Sequence, residues 1–241
     1  MSKRDELRQR RQARRRRRTF TLMGVVVVVA LAITAYLIFQ NYQKQVEDSR
    51  PIGAFVTPAP VDWPMADGKA LGPPDAQVVV QEYVDFQCPF CGQFATTIEP
   101  QLVEQYVASG KVRLEFRHFI VVDGNVGGSE SRRAAEASEC ASEQGRFWDY
   151  QLLVFSNQQG EGQGAFADRR LKAFAETLEL DTGKFNACFD AGRYASTVRA
   201  DEARARSLGL DSTPSILVNG KLVANPDFNS IAAAIDAELN Q

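Results

Sequence analysis

Two cysteines, Cys88 and Cys91, stand one helical turn apart with Pro89 and Phe90 between them. Residues of this type at this spacing serve three chemistries: a metal clip, a structural crosslink, or a thiol pair that trades electrons. The other two cysteines, Cys140 and Cys188, are isolated from this pair and from each other. Structural zinc draws on two close ligand pairs, so a four-cysteine zinc site fits poorly and no metal is expected. The one histidine, His118, reads as a strand-face residue rather than a catalyst. The glycine loops at 124–128 and 160–164 lack the strand-to-helix setting that a phosphate loop needs. No cofactor is called for.

The elements that must position the pair can be read around it. Val78 to Val84 is a continuous apolar run apart from Gln81 and Glu82, the pattern of a buried strand. A helix is expected from the cysteine pair onward, because Phe94, Ile98, Leu102 and Tyr106 recur every four residues. Pro100 should kink that helix or split it after Ile98. A second strand is expected over 111–122, a loop over 124–131, and helix almost throughout 129–207, interrupted by the glycine-rich stretch 157–164. Phe147, Trp148 and Phe155 read as core. Pro214 to Val218 reads as a strand, Asn219-Gly220 as a tight hairpin turn and Lys221 to Val223 as the return. Asn225 is the expected cap of a last helix, with Pro226 in its first turn and Phe228, Ile231, Ile235 and Leu239 on its inner face. The order strand, helix, strand, helical block, hairpin, helix implies an α/β sandwich around a small mixed sheet.

The first forty residues belong to another regime. Residues 1–18 carry ten Lys/Arg against two acidic side chains, whereas the remaining chain has 18 basic and 28 acidic ones. Phe20 to Phe39 follows with no charged residue, and as a helix it would be about 30 Å long, the thickness of a bilayer's hydrocarbon. Basic residues stay in the cytoplasm, which sends everything after residue 40 outside. A cleaved signal peptide is the competing reading, but the run ends in bulky residues rather than at a small-residue site. The arginine cluster is thus a topology signal, and no nucleic-acid partner is expected. The expected layout is a basic tail at 1–19, a transmembrane anchor at 20–39, a linker at 40–75 that holds six of the ten prolines, and a folded domain at 76–241 with a helical insertion at about 129–207. All four cysteines follow the anchor, where disulfides form and persist.

From Ala76 onward the sequence resembles the thioredoxin fold, and within it the DsbA-like thiol-disulfide oxidoreductases. Phe86-Gln87-Cys88-Pro89-Phe90-Cys91 opens a helix after a strand, and Glu82 stands six residues before the first cysteine. A helical block interrupts the fold, and Ser212-Thr213-Pro214-Ser215 leads into the hairpin where the family has its cis-proline loop. The resemblance implies a thioredoxin-like mixed sheet with an inserted helical block. It also implies a cis Pro214 facing Cys88, with the Thr213 backbone free to pair with an extended substrate, and a buried Glu82 that relays a proton to or from Cys91. A solvent-facing Glu82 at a strand edge is the alternative. Cys140 and Cys188 would staple two helices, as a second disulfide sometimes does in such proteins, contributing roughly 4 kcal/mol by loop entropy; two unpaired thiols are the alternative. One departure stands out: the well-known strong oxidants have His in the intervening dipeptide, where this chain has Phe90.

Disulfide exchange needs a thiolate in line with a disulfide. A helix N-terminus favours negative charge, so the Cys88 thiol should fall below the free value of about 8.5. The expected activity is a membrane-tethered, extracytoplasmic oxidase that donates its Cys88–Cys91 disulfide to reduced exported proteins, with a quinone-linked membrane oxidase restoring it. A reductase or isomerase on the same scaffold, or a redox-idle binding or chaperone module, are the alternatives.

Overall fold

The computed structural model describes residues 22–42 and 52–240. These form two units, each considered by itself. The first contains one helix, α1 (Leu22–Tyr42), which has 21 residues, is apolar and has no buried face. Its length, about 30 Å, is enough to cross a membrane. The basic tail expected at 1–19, the first two residues of the expected anchor, and positions 43–51 of the expected linker lie outside the described residues.

The second unit is built on a five-stranded sheet in the order β1-β3-β2-β4-β5. β2 (Val78–Val84) is central and pairs in parallel with β3 (Val112–His118) and antiparallel with β4 (Ser215–Val218). β1 (Ala70–Leu71) adds antiparallel to β3, and β5 (Lys221–Leu222) to β4. The strand patterns follow from position. β2 is covered on both faces, so its apolar residues run almost unbroken. β3 alternates: Val112, Leu114, Phe116 and His118 are buried, while Arg113, Glu115 and Arg117 are half-buried on the other face. In the β4–β5 turn, Asn219 and Gly220 both take positive φ (46° and 78°), the backbone a two-residue hairpin needs.

Between β2 and β3 runs α2, a continuous helix over 89–107. Pro100 does not split it. The turn just before the proline is widened instead, with the Glu99 N–H reaching back five residues to the Phe94 carbonyl. A second wide turn closes the helix, from Ala108 N–H to the Val103 carbonyl. Wide turns let the ladder step around the ring without a break. The short helix α3 (Val122–Val126) occupies part of the expected 124–131 loop. The helical block then comprises α4 (Glu130–Ser142), α5 (Phe147–Phe155), α6 (Asp168–Thr177), α7 (Thr182–Asp190) and α8 (Ala195–Ser207), and the last helix is α9 (Phe228–Leu239). The cap of α9 is Asp227, whose carboxylate accepts from the Ser230 N–H at 2.9 Å. The expected Asn225-Pro226 start is two residues early, because Asp227 is the residue with an acceptor in reach of that orphan amide.

Part of the proline-rich stretch after Ile52 packs on the domain, through Phe55 and Trp63, while Val56 and Val61 stay exposed. The Val56 N–H donates to Asn157 Oδ1 and the Asn157 amide donates back to the Val56 carbonyl, both at 2.7 Å. Phe55 lies edge-on to Phe174 with ring centres 5.0 Å apart, and Trp63 Nε1 donates to Asp149 at 3.0 Å. Sheet pairing begins at Ala70, opposite Glu115, ahead of the Ala76 start read from the pattern. A two-residue edge strand carries no periodicity to read.

Candidate active site

The site forms where β2 ends. Cys88 has extended backbone (φ −68°, ψ 121°) at the cap of α2, with Pro89 in the first turn. Proline there gives up no hydrogen bond. The Cys88 carbonyl accepts the Gly92 N–H at 3.1 Å, and its own N–H donates to the Asp85 carbonyl at 3.1 Å. The antiparallel register of β2 and β4, Tyr83 opposite Ser215, swings the segment before β4 over this helix start. The Thr213–Pro214 peptide is cis. The Cys88 thiol donates to the Thr213 carbonyl at 3.3 Å.

Both thiols are free and their surroundings differ. Cys91 is fully buried and takes the Asp85 N–H at 3.5 Å. The thiol of Cys88 is pulled down to about 6, chiefly because the Cys91 thiol donates to its sulfur; burial opposes this, and the Thr213 side chain and the N–H groups of Cys91 and Phe90 add to it. Burial, and then the neighbouring Cys88, push Cys91 well above the ordinary thiol value. The lowering of Cys88 was expected from the helix start alone; the neighbouring thiol is the larger cause. One sulfur is thus an anion at neutral pH while the other holds its proton. Pro89 and Phe90 between them are exposed, Phe90 by 69%.

Glu82 is fully buried on β2, not at a solvent-facing edge. Burial is the first cause of its raised pKa, and the nearby Glu99 the second. Glu99, buried in α2, is likewise raised by burial, to about 8, although the Gln151 amide donates to its Oε2 at 3.0 Å. Two neighbouring carboxyls away from water cannot both ionise at little cost, so the pair keeps a proton. Glu99 was missed in the sequence. The signal was there: Cys91, Ala95, Glu99 and Val103 recur every four residues and all are buried. Asp85 was missed too. Its buried carboxylate accepts from Val121 N–H (2.8 Å), Val122 N–H (2.9 Å) and Gln87 N–H (2.9 Å), tying the cysteine turn to α3.

Cys140 and Cys188 are bridged, joining α4 to α7 with Cα atoms 5.9 Å apart. His118 lies in a buried ionic cluster with Glu139 and Asp201. The Lys69 ammonium fills its centre, 2.6 Å from Glu139 and 2.7 Å from Asp201. The His118 ring packs against Phe86 of the cysteine turn, with ring centres 6.1 Å apart, and its Nε2 lies 3.2 Å from Glu139 Oε1.

With this geometry in hand, a family model described as thioredoxin matches residues 66–237. The probable disulfide bond formation protein D of Bacillus anthracis is 34% identical over 177 residues, 72% of this chain and 79% of that protein. The chain belongs to the thioredoxin family, among its DsbA-like members. It is a protein disulfide oxidoreductase. The oxidised BdbD of Bacillus subtilis superimposes with a TM-score of 0.66 at 27% identity, covering 78% of this chain and all of that one. The oxidised DsbA of Mycobacterium tuberculosis gives 0.60 at 25% identity, covering 73% and 94%. In this DsbA-like chain the inserted helical block is α4 to α8, and it carries the bridge, the Lys69 partners and Gln151.

Proposed function

We propose that this DsbA-like chain is a membrane-anchored oxidase that introduces disulfides into exported proteins through Cys88 and Cys91. The observation that carries this reading is the unequal pair: a depressed Cys88 thiol at the mouth of α2 beside a buried, protonated Cys91. A reduced substrate's thiolate attacks the Cys88 sulfur, the Cys88–Cys91 bond breaks, and Cys91 leaves with the electron pair and takes up a proton. A second thiolate of the substrate then attacks the substrate sulfur bonded to Cys88, forms the substrate disulfide and expels Cys88 as a thiolate. The substrate has lost two electrons and the cysteine pair has gained them. A thiolate stable at neutral pH is a good leaving group, which favours both release and an oxidising disulfide. Glu82, buried with Glu99, is the proposed proton source and sink for Cys91. Thr213, beside cis Pro214, would offer its backbone to an extended substrate strand.

The basic tail would hold the N-terminus in the cytoplasm, and α1 would place the catalytic domain outside as a single-pass protein. A quinone-linked membrane oxidase would then take the electrons from the reduced pair. The Phe90 side chain, unlike a histidine there, adds no hydrogen-bond donor to the Cys88 thiolate beyond the backbone N–H, which points to a milder oxidant. The test is a redox titration of the full chain in glutathione buffers. A potential nearer about −120 mV than about −270 mV supports the oxidase, and one at or below the glutathione range turns the reading to a reductase or isomerase. In a disulfide-formation assay Cys88→Ala should be inactive and Cys91→Ala should accumulate mixed disulfides. Full activity of Cys88→Ala would leave a redox-idle binding module.

A further inference from the structure

We propose that Gln158 is a positioning residue for this thiol chemistry, its amide holding the turn from Phe86 to Cys88 so that the Cys88 sulfur stays at the mouth of α2. The proposal rests on Cys88 being the reactive thiol. Gln158 comes from the helical block, just beyond α5. Its Nε2 donates to the Phe86 carbonyl at 2.7 Å and to the Cys88 carbonyl at 2.9 Å. One amide group thus spends both hydrogens on two carbonyls that bracket Gln87. The Cys88 carbonyl already accepts the first helical bond from Gly92, and Gln158 supplies its second partner.

Gly92 makes the room. A Cβ at that position would collide with Oε1 and Cδ of Gln158. Gly92 lies in α2 without the positive φ that would call for glycine, and glycine inside a helix is unfavourable on backbone grounds. The space it leaves is taken by Gln158.

The same strap grips the turn a second time. The Gly162 N–H donates to Gln87 Oε1 at 2.7 Å, and Gln87 Nε2 donates to Asp123 and Ser131 at 2.9 and 2.8 Å. Its root is fixed as well, since Asn157 pairs with Val56 and also donates to the Leu153 carbonyl at 2.8 Å. The inserted block therefore reaches over and sets the peptide planes of the cysteine turn. With those planes held, the Phe90 and Cys91 N–H groups face the sulfur. The Gln158 donors also draw charge from the carbonyls of the turn, which would otherwise repel a thiolate.

The test follows thiolate ultraviolet absorbance against pH in the reduced full chain in detergent, with melting temperature and glutathione potential measured alongside. Gln158→Met keeps the side chain's length and removes its donors; Gln158→Ala removes both. Each should raise the Cys88 titration midpoint by about half a unit to one unit and make the disulfide less oxidising. Gly92→Ala should give the same shift by displacing Gln158, and Gly92→Ala with Gln158→Ala should add nothing to either alone. Wild-type titration in Gln158→Met, whether or not the melting temperature falls, would overturn the proposal, as would additive shifts in the double variant. A wild-type sulfur that titrates at the ordinary thiol value would instead sink the reading of Cys88 itself.

Discussion

The Cys88 sulfur lies 3.3 Å from the carbonyl oxygen of Thr213, a residue 125 positions further along the chain. The contact exists because β4 lies antiparallel beside β2, so the segment entering β4 crosses the point where β2 hands over to α2. It places the thiol and a strand-like backbone edge together, the two parts a disulfide exchanger needs if its substrate is an extended chain.

Removing the Cys91 thiol should move Cys88 more than any change at the helix start. A hydrogen bond to a charged sulfur contributes about 1.5–3 kcal/mol. Cys91→Ala should therefore lift the Cys88 midpoint from about 6 by roughly one to two units, toward the free value. Thiolate absorbance against pH measures it, and an unmoved midpoint would assign the lowering to the helix alone.

Stability of the reduced and oxidised forms should diverge with pH. The Cys88 thiol is lower in the folded dithiol form than in the unfolded chain, so its contribution is present above the unfolded value of about 8.5 and is lost as pH falls through about 6. The oxidised form has no such titration. Denaturant unfolding at several pH values should show the reduced form gaining on the oxidised one across that window. After allowance for solvent screening the gain is about 1–2 kcal/mol.

The buried carboxyl pair has the opposite sign. Glu82 and Glu99 have folded values raised above their unfolded ones, so the stability they contribute is full below about 4.5 and is lost as pH rises through about 8 for Glu99. Glu99→Gln keeps the shape, still accepts from Gln151 and can donate to Glu82. It should be more stable than the wild type at pH 8 and nearly equal at pH 4, which chemical denaturation at the two pH values checks. A wild type whose stability is flat over this range would show that the pair is not held protonated.

Breaking the helical-block bridge should cost stability and leave the site chemistry in place. Cys140→Ala with Cys188→Ala removes a crosslink over 48 residues, with an expected loss of about 2–5 kcal/mol. Denaturant midpoints report that loss. The Cys88 titration should stay near its wild-type position, since neither bridged cysteine is among the groups that lower the Cys88 thiol.

What was legible in the sequence was local. The β2 pattern, the four-residue spacing after the cysteines, the Asn219-Gly220 turn and the uncharged run before residue 40 each obey a periodicity or a backbone rule that acts over a few residues. That is why the pair's place at a strand-to-helix junction, and a possible membrane span, were readable without coordinates. Of the two outcomes read for Pro100, a kink or a split, the split does not occur: the rule for proline is local, and the helix takes up the ring in a wide turn.

The tertiary structure decided the rest. It set Thr213 against Cys88, Glu99 against Glu82, Lys69 between Glu139 and Asp201, and Gln158 over the cysteine turn. These pairings join residues from different elements; spacing shows which face of each element is buried, but not which residue of another element it meets. By itself the sequence determined which atoms are available for exchange and that a helix begins at them. How acidic one sulfur is, and how firmly its turn is held, depends on groups brought close only by folding, because hydrogen bonds and desolvation act over a few ångströms of space and not along the chain.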